Sequence, residues 1–146
     1  MPTEALPQTL VVDASVGLKW VVDEADSDEA VALVAGRRLI APALFWIETA
    51  NALAVKTRRG ELTRAAAADA WRDLCEAPIE IVPVTPGSVT PALTLAQDLP
   101  HTVYDCAYLA TALSSGCSLV TADARFAAIL SAHPFLADKV RLLRDL

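Results

Sequence analysis

Leu10-Val11-Val12-Asp13-Ala14-Ser15-Val16-Gly17-Leu18-Lys19-Trp20 changes its period at the acid. The apolar run before Asp13 is short and β-branched, which suits a buried strand; the apolar residues after it return at helical spacing. Ser118-Leu119-Val120-Thr121-Ala122-Asp123 repeats the pattern, with a helix expected from Ala124 to Ser131. Further strands are expected at Arg38 to Ala41, at Ile79 to Val84 with the ladder broken at Pro83, and at Lys139 to Leu142 as a final edge. Helical patterns fill the gaps: about Val16 to Val22, a helix capped at Asp26-Ser27-Asp28-Glu29 and ending at Gly36, and a long one from Pro42 to Gly60. An alanine-rich helix capped by Thr63 runs to about Glu76, and two more span Gly87 to Asp98 and Val103 to Ser114. Strands separated by helices require right-handed crossovers and a parallel sheet covered on both faces. The expectation is a single α/β domain over residues 1–146, a three-layer α/β/α sandwich around about five short strands.

Composition agrees with that architecture. The hydrophobic fraction of 54% is high for 146 residues, which points to a sheet buried on both sides and to apolar surface reserved for a partner. Leu39 to Ile47 is the longest apolar stretch, too short to span a bilayer and interrupted by Pro42. The first seven residues lack the basic start and apolar core of a signal peptide, so a cytoplasmic location is expected. Cys75, Cys106 and Cys117 are widely spaced without a Cys-x-x-Cys pair, which disfavours zinc and disulfides and favours core packing for all three. His101 and His133 lie beside prolines, and nothing in the sequence brings them into one pocket for metal-free imidazole catalysis.

Four acids stand where apolar elements begin or end. Asp13 and Asp123 follow strands, Glu48 sits within the long helix, and Asp105 falls in the first turn of another. An open α/β sheet gathers ligands beyond the carboxyl ends of its strands, so these four can converge. Clustered carboxylates repel and need a shared proton or a cation; Mg²⁺, with Mn²⁺ as substitute, suits an all-oxygen set. Each acid also has an ordinary structural reading. Thr102-Val103-Tyr104-Asp105 fits a capping box, Asp123 an N-cap, Asp13 an Asx-turn, and Glu48 a solvated helix position. Against the last, Glu48 shares a helix face with Leu44, Asn51, Ala52 and Val55, a face expected to pack. The net charge of −6 is neutral as to nucleic acid. The four candidate ligands account for much of the excess of 18 acids over 12 bases, and Arg37-Arg38 and Lys56 to Arg59 offer basic groups for a phosphate-binding rim.

Val12 to Trp20 resembles the opening of PIN-domain ribonucleases, specifically the VapC toxins of type II toxin–antitoxin systems. Pro42-Ala43-Leu44-Phe45-Trp46-Ile47-Glu48-Thr49-Ala50-Asn51-Ala52-Leu53 is similar to the second motif of that family, Tyr104-Asp105-Cys106-Ala107-Tyr108-Leu109-Ala110 to the third, and Leu119-Val120-Thr121-Ala122-Asp123 to the fourth. The order holds from about residue 10 to 142, with Cys106 standing where the family commonly has Ala. The resemblance implies that Asp13, Glu48, Asp105 and Asp123 are the acidic metal ligands and catalytic residues, Mg²⁺ the cofactor and RNA the substrate. It further implies that Thr121 and Asn51 support the site, along with a five-stranded parallel sheet, a homodimer and an antitoxin partner. Ser15 lies near enough to assist and serves equally well as N-cap of the short helix. A PIN nuclease of ordinary RNA processing, without an antitoxin, is the alternative. A Mg²⁺-binding phospho-receiver domain fits worse, because Ile81 to Pro86 ends without an acid and Asp13 lacks an acidic neighbour.

Overall fold

A computed structural model describes residues 1, 3 and 5–146. Five strands form one sheet: β1 (Gln8–Val12), β2 (Arg37–Pro42), β3 (Ile79–Val82), β4 (Ser118–Thr121) and β5 (Val140–Leu142). Seven helices connect them: α1 (Ala14–Leu18), α2 (Ser27–Val34), α3 (Leu44–Arg58), α4 (Arg64–Cys75), α5 (Pro86–Asp98), α6 (Val103–Ser115) and α7 (Ala124–Ser131). The sheet order is β3-β2-β1-β4-β5, and every pairing is parallel. The α/β sandwich expected from the periodicity is the observed fold.

The strand order places the site. From β1 the chain winds one way through β2 to β3, and it then returns to the other side of β1 for β4 and β5. The winding reverses between β1 and β4, so a crevice opens past their carboxyl ends, where parallel sheets bind ligands. Register pairs Val12 with Val120, and so sets the residues after both strands side by side.

Both faces of the central strands are covered. Leu10, Val12, Leu39 and Val120 cluster with Val16 of α1 and with Ala30 and Leu33 of α2. Val11, Ile40 and Leu119 join the opposite cluster, with Cys106, Tyr108 and Leu109 of α6. Near the start of α3, Phe45 is fully buried and packs edge-on to Trp46 and obliquely to Trp20, and Trp46 in turn meets Trp71 of α4. All three tryptophans are thus partly buried within the chain, and Trp20 Nε1 donates to the carbonyl of Ala30.

Local chemistry sets the boundaries, and the structure departs from expectation at four places. Thr63 caps α4 by accepting from the amide of Ala66, and Thr85 with Ser88 forms a reciprocal capping box at α5. Asp26 does not cap α2 through its side chain; it takes a left-handed φ of 66°, while the hydroxyl of Ser27 accepts from the amide of Glu24. The helix after β1 is shorter than expected, ending at Leu18, and β3 stops at Val82, before Pro83. Cys75 is exposed and only Cys106 is fully buried, so core packing does not hold for all three cysteines. No helix among the described residues is long and apolar enough to cross a membrane.

Candidate active site

Asp13 begins the site. It ends β1, is 6% exposed, and caps α1 by accepting from the amide of Val16. The hydroxyl of Ser15 donates to Asp13 Oδ1 and accepts from the backbone amide of Ala122, 3.0 Å away, so one side chain ties the end of β1 to the end of β4. Ser15 is therefore not the cap of the short helix; Asp13 is, and Ser15 lies one residue inside it. Thr121 is fully buried at the end of β4, and its Oγ1 accepts from the amide of Asp123.

Two helices bring further acids. Asp105, in the first turn of α6, has its amide capped by Thr102, and its Oδ2 lies 2.6 Å from Nε2 of His101. The His101 ring lies flat on Phe126, with centroids 4.5 Å apart and planes 12° from parallel. The amide of Phe126 is held by Asp123 Oδ1, which also accepts from Arg125. Thus Asp123 serves as the N-cap of α7 and is exposed. Glu48 is half-buried one turn into α3 and lines a groove of about 360 Å³ with Leu44, Ile47, Asn51 and Tyr104.

Electrostatics tie three of the acids together. Burial, opposed by hydrogen bonds from Ser15, Thr121 and Val16, pushes the Asp13 carboxyl up to about 6, and the charge on Asp105 adds to the rise. Glu48 is raised as well, first by burial and then by Asp105, with Tyr108 acting in the other direction. The Tyr108 hydroxyl is enclosed and has no partner at hydrogen-bonding geometry; burial and the nearby Glu48, Asp13 and Asp105 push its ionisation far upward. An enclosed hydroxyl without a partner, surrounded by mutually repelling carboxylates, is a set of hard oxygen donors short of positive charge. That chemistry fits a divalent cation. Among the described residues no three His, Cys, Asp or Glu side chains are drawn onto a common point, because His101 engages Asp105 and the amides of α7 engage Asp123.

The raised Asp13 has a consequence for stability without metal. Between pH 4 and 6 the native protein keeps a proton that the unfolded chain, at the ordinary value of 3.8, has released. Stability is then greatest below the unfolded value and falls as pH rises through about 6. Asp13→Asn retains a good capping side chain and should flatten that fall, by about 3 kcal/mol near neutrality. Thermal melts in EDTA from pH 4 to 7 check this; equal pH dependence in both proteins contradicts it.

The sequence reading placed these residues unevenly. Asp13, Glu48 and Asp105 share one electrostatic neighbourhood, and Thr121 and Ser15 adjoin Asp13. Asn51 lines the Glu48 groove but is exposed, and the buried face of α3 is Phe45, Thr49 and Leu53 rather than the Glu48 face. The Thr102 to Asp105 box is half formed, since the Asp105 carboxylate turns to His101. His101 and the Tyr108 hydroxyl were missed. The four-residue spacing of His101 and Asp105 was the available signal, obscured because His101 precedes the helix.

The fold agrees with comparisons to known proteins. No curated protein matches the sequence. A protein of Pyrobaculum aerophilum of known structure is 24% identical, with a TM-score of 0.70 over 94% of this chain and 85% of that one. A toxin–antitoxin complex from Klebsiella pneumoniae contains a chain 13% identical, with a TM-score of 0.65 over 92% of this chain and 97% of the other. VapC20 of Mycobacterium tuberculosis, a Sarcin-Ricin loop cleaving toxin, is 19% identical, with a TM-score of 0.60 over 82% and 93% of the two chains. Residues 10–130, which contain all four acids, strands β2 to β4 and most of β1, match the PIN domain, and the chain belongs to that family.

Proposed function

We propose that the protein is a Mg²⁺-dependent endoribonuclease of the VapC type, acting as the toxin of a toxin–antitoxin pair. The observation that carries the reading is the group of Asp13, Glu48 and Asp105 around the orphaned Tyr108 hydroxyl, past the ends of β1 and β4. Membership of the PIN domain family supports it, as do a structural relative that is a loop-cleaving toxin and another from a toxin–antitoxin complex. Asp13, Asp105 and Asp123 would hold the ion, with Glu48 as a further ligand or as base. A divalent ion in such a site lowers the pKa of bound water and offsets charge on the phosphoryl oxygens.

The side chains divide the remaining work. Asp13 is fixed by Ser15 and the amide of Val16, so its orientation is set before substrate arrives. Glu48 holds a proton more readily than an ordinary glutamate, which suits Oε1 or Oε2 to taking one from water during attack. The Tyr108 hydroxyl is a donor enclosed beside the same acids, without a partner of its own. Asp123 fixes the start of α7, whose Phe126 backs His101 against Asp105. An antitoxin can silence such a site by presenting an arginine to the acids, and a homodimer would carry two copies of it.

Single-stranded RNA incubated with the purified protein should be cut in Mg²⁺ or Mn²⁺, stay intact in EDTA, and be cut again when metal is restored. Cleavage that persists in EDTA rejects the metal role. Intact RNA under every metal condition rejects the nuclease reading.

A further inference from the structure

An open cleft lies away from the acid cluster, beyond the last strand. It measures about 730 Å³ along the free edge of β5, and Arg37, Arg141 and Arg144 line it with Ala124, Ser131 and Asp145. These arginines come from the start of β2, the middle of β5 and the turn after it, so the fold assembles them from distant parts of the chain. Of the basic groups legible in sequence, Arg38 and Lys56 are occupied, Arg58 and Arg59 are exposed at the end of α3, and Arg37 enters this cleft. Arg38 forms a two-pronged pair with Glu80, and Lys56 bridges Glu24 and Glu61. Among the described residues the paired arginines are Arg38 and Arg72, which leaves the three of the cleft without a carboxylate partner. Arg37 has only the carbonyl of Ala32, at 3.4 Å.

We propose that this cleft binds the phosphodiester backbone of the RNA that runs past the acids, an inference that rests on the nuclease reading. Three features carry it. One is position: the cleft starts at Ala124, next to Asp123, and Arg141 pairs in register with Val120, one residue before Thr121. Another is need, because a chain of net charge −6 with clustered carboxylates repels a polyanion unless cations lie close to its path. The third is chemistry: planar guanidinium groups match phosphate oxygens, and three of them outnumber the Asp145 carboxylate and the α-carboxyl group of Leu146 beside it. Contacts of this kind fix register along the strand without reading bases.

The test measures binding of fluorescein-labelled single-stranded RNA in EDTA across a salt series, and cleavage of the same RNA separately in Mg²⁺. The double variant Arg141→Ala, Arg144→Ala should bind about tenfold more weakly near 0.1 M salt, and its log–log salt slope should fall by about 1.4, near 0.7 for each lost phosphate contact. The double variant Arg141→Lys, Arg144→Lys keeps the charge and should keep the slope, which separates loss of contact from loss of fold. Unchanged affinity and slope in the alanine variant overturn the proposal. So does a variant that still binds RNA but no longer binds a hexaglutamate peptide, since the cleft would then be a protein site. Wild-type protein that binds RNA with the expected slope yet never cleaves it rejects the nuclease reading and leaves the cleft standing. Normal cleavage with an unchanged slope in the alanine variant does the reverse.

Discussion

Asp105→Asn should cut the rate of RNA cleavage by about 10²–10³-fold or more, the scale of losing one preorganised electrostatic contact in an active site, while the protein stays folded. The substitution removes charge and little else. The Asp105 amide still bonds Thr102 Oγ1, and a carboxamide can still meet His101. Removing this charge also relieves Asp13 and Glu48, both of which it pushes upward, so the ion-free variant should be no less stable than wild type. Cleavage assays in Mg²⁺ beside thermal melts in EDTA check both halves. A variant that cleaves at the wild-type rate removes Asp105 from the site, and one that melts far below wild type makes it structural.

Phe45→Ala should cost about 3–5 kcal/mol, which is a large share of the ~5–15 kcal/mol that holds a domain of this kind together. Phe45 is fully buried between Trp20 and Trp46, with ring centroids at 6.3 and 5.4 Å. Its ring also lies over Gly17, where an added Cβ would fall 2.4 Å from two ring carbons. Nothing on α1 can therefore move in to fill the space, and the hole stays open. Urea unfolding measures the loss, and the pair of sites gives a sharper check. Gly17→Ala alone should destabilise by crowding the ring, but in the Phe45→Ala background the same methyl group enters empty space and should be neutral or favourable. Equal costs in both backgrounds contradict that packing.

The features legible in the sequence were those set by local pattern. Buried parallel strands read as apolar runs because both faces are covered, and Thr63 and Thr102 announce their helices through side chains that reach amides three residues on. The acids were legible because three of them follow or open an element, where apolar periodicity gives no reason for a charge. Strand order was not legible, since the pairing of Leu10 with Ser118 depends on packing across the whole domain. The same distance hid the bond from Ser15 to Ala122 and the meeting of Arg37 with Arg141 and Arg144. The Glu48 face misled because four apolar or amide positions at helical spacing look buried, whereas α3 turns Phe45, Thr49 and Leu53 inward instead.

The pairing of β1 with β4 also sets when this protein acquires its chemistry during synthesis. β1 precedes the other strands, yet its neighbour on one side is more than a hundred residues downstream, so the centre of the sheet stays open until β4 has been made. Until Ala122 emerges, Ser15 lacks the amide that locks the two strand ends, and Asp13 lacks the neighbours from α6 and β4. A growing chain therefore carries Asp13 without its lock on β4, and the assembled carboxylates appear only after α6 and β4 have been made. Topology acts here as a timer, keeping a fragment inert in the place where a premature nuclease would do most harm.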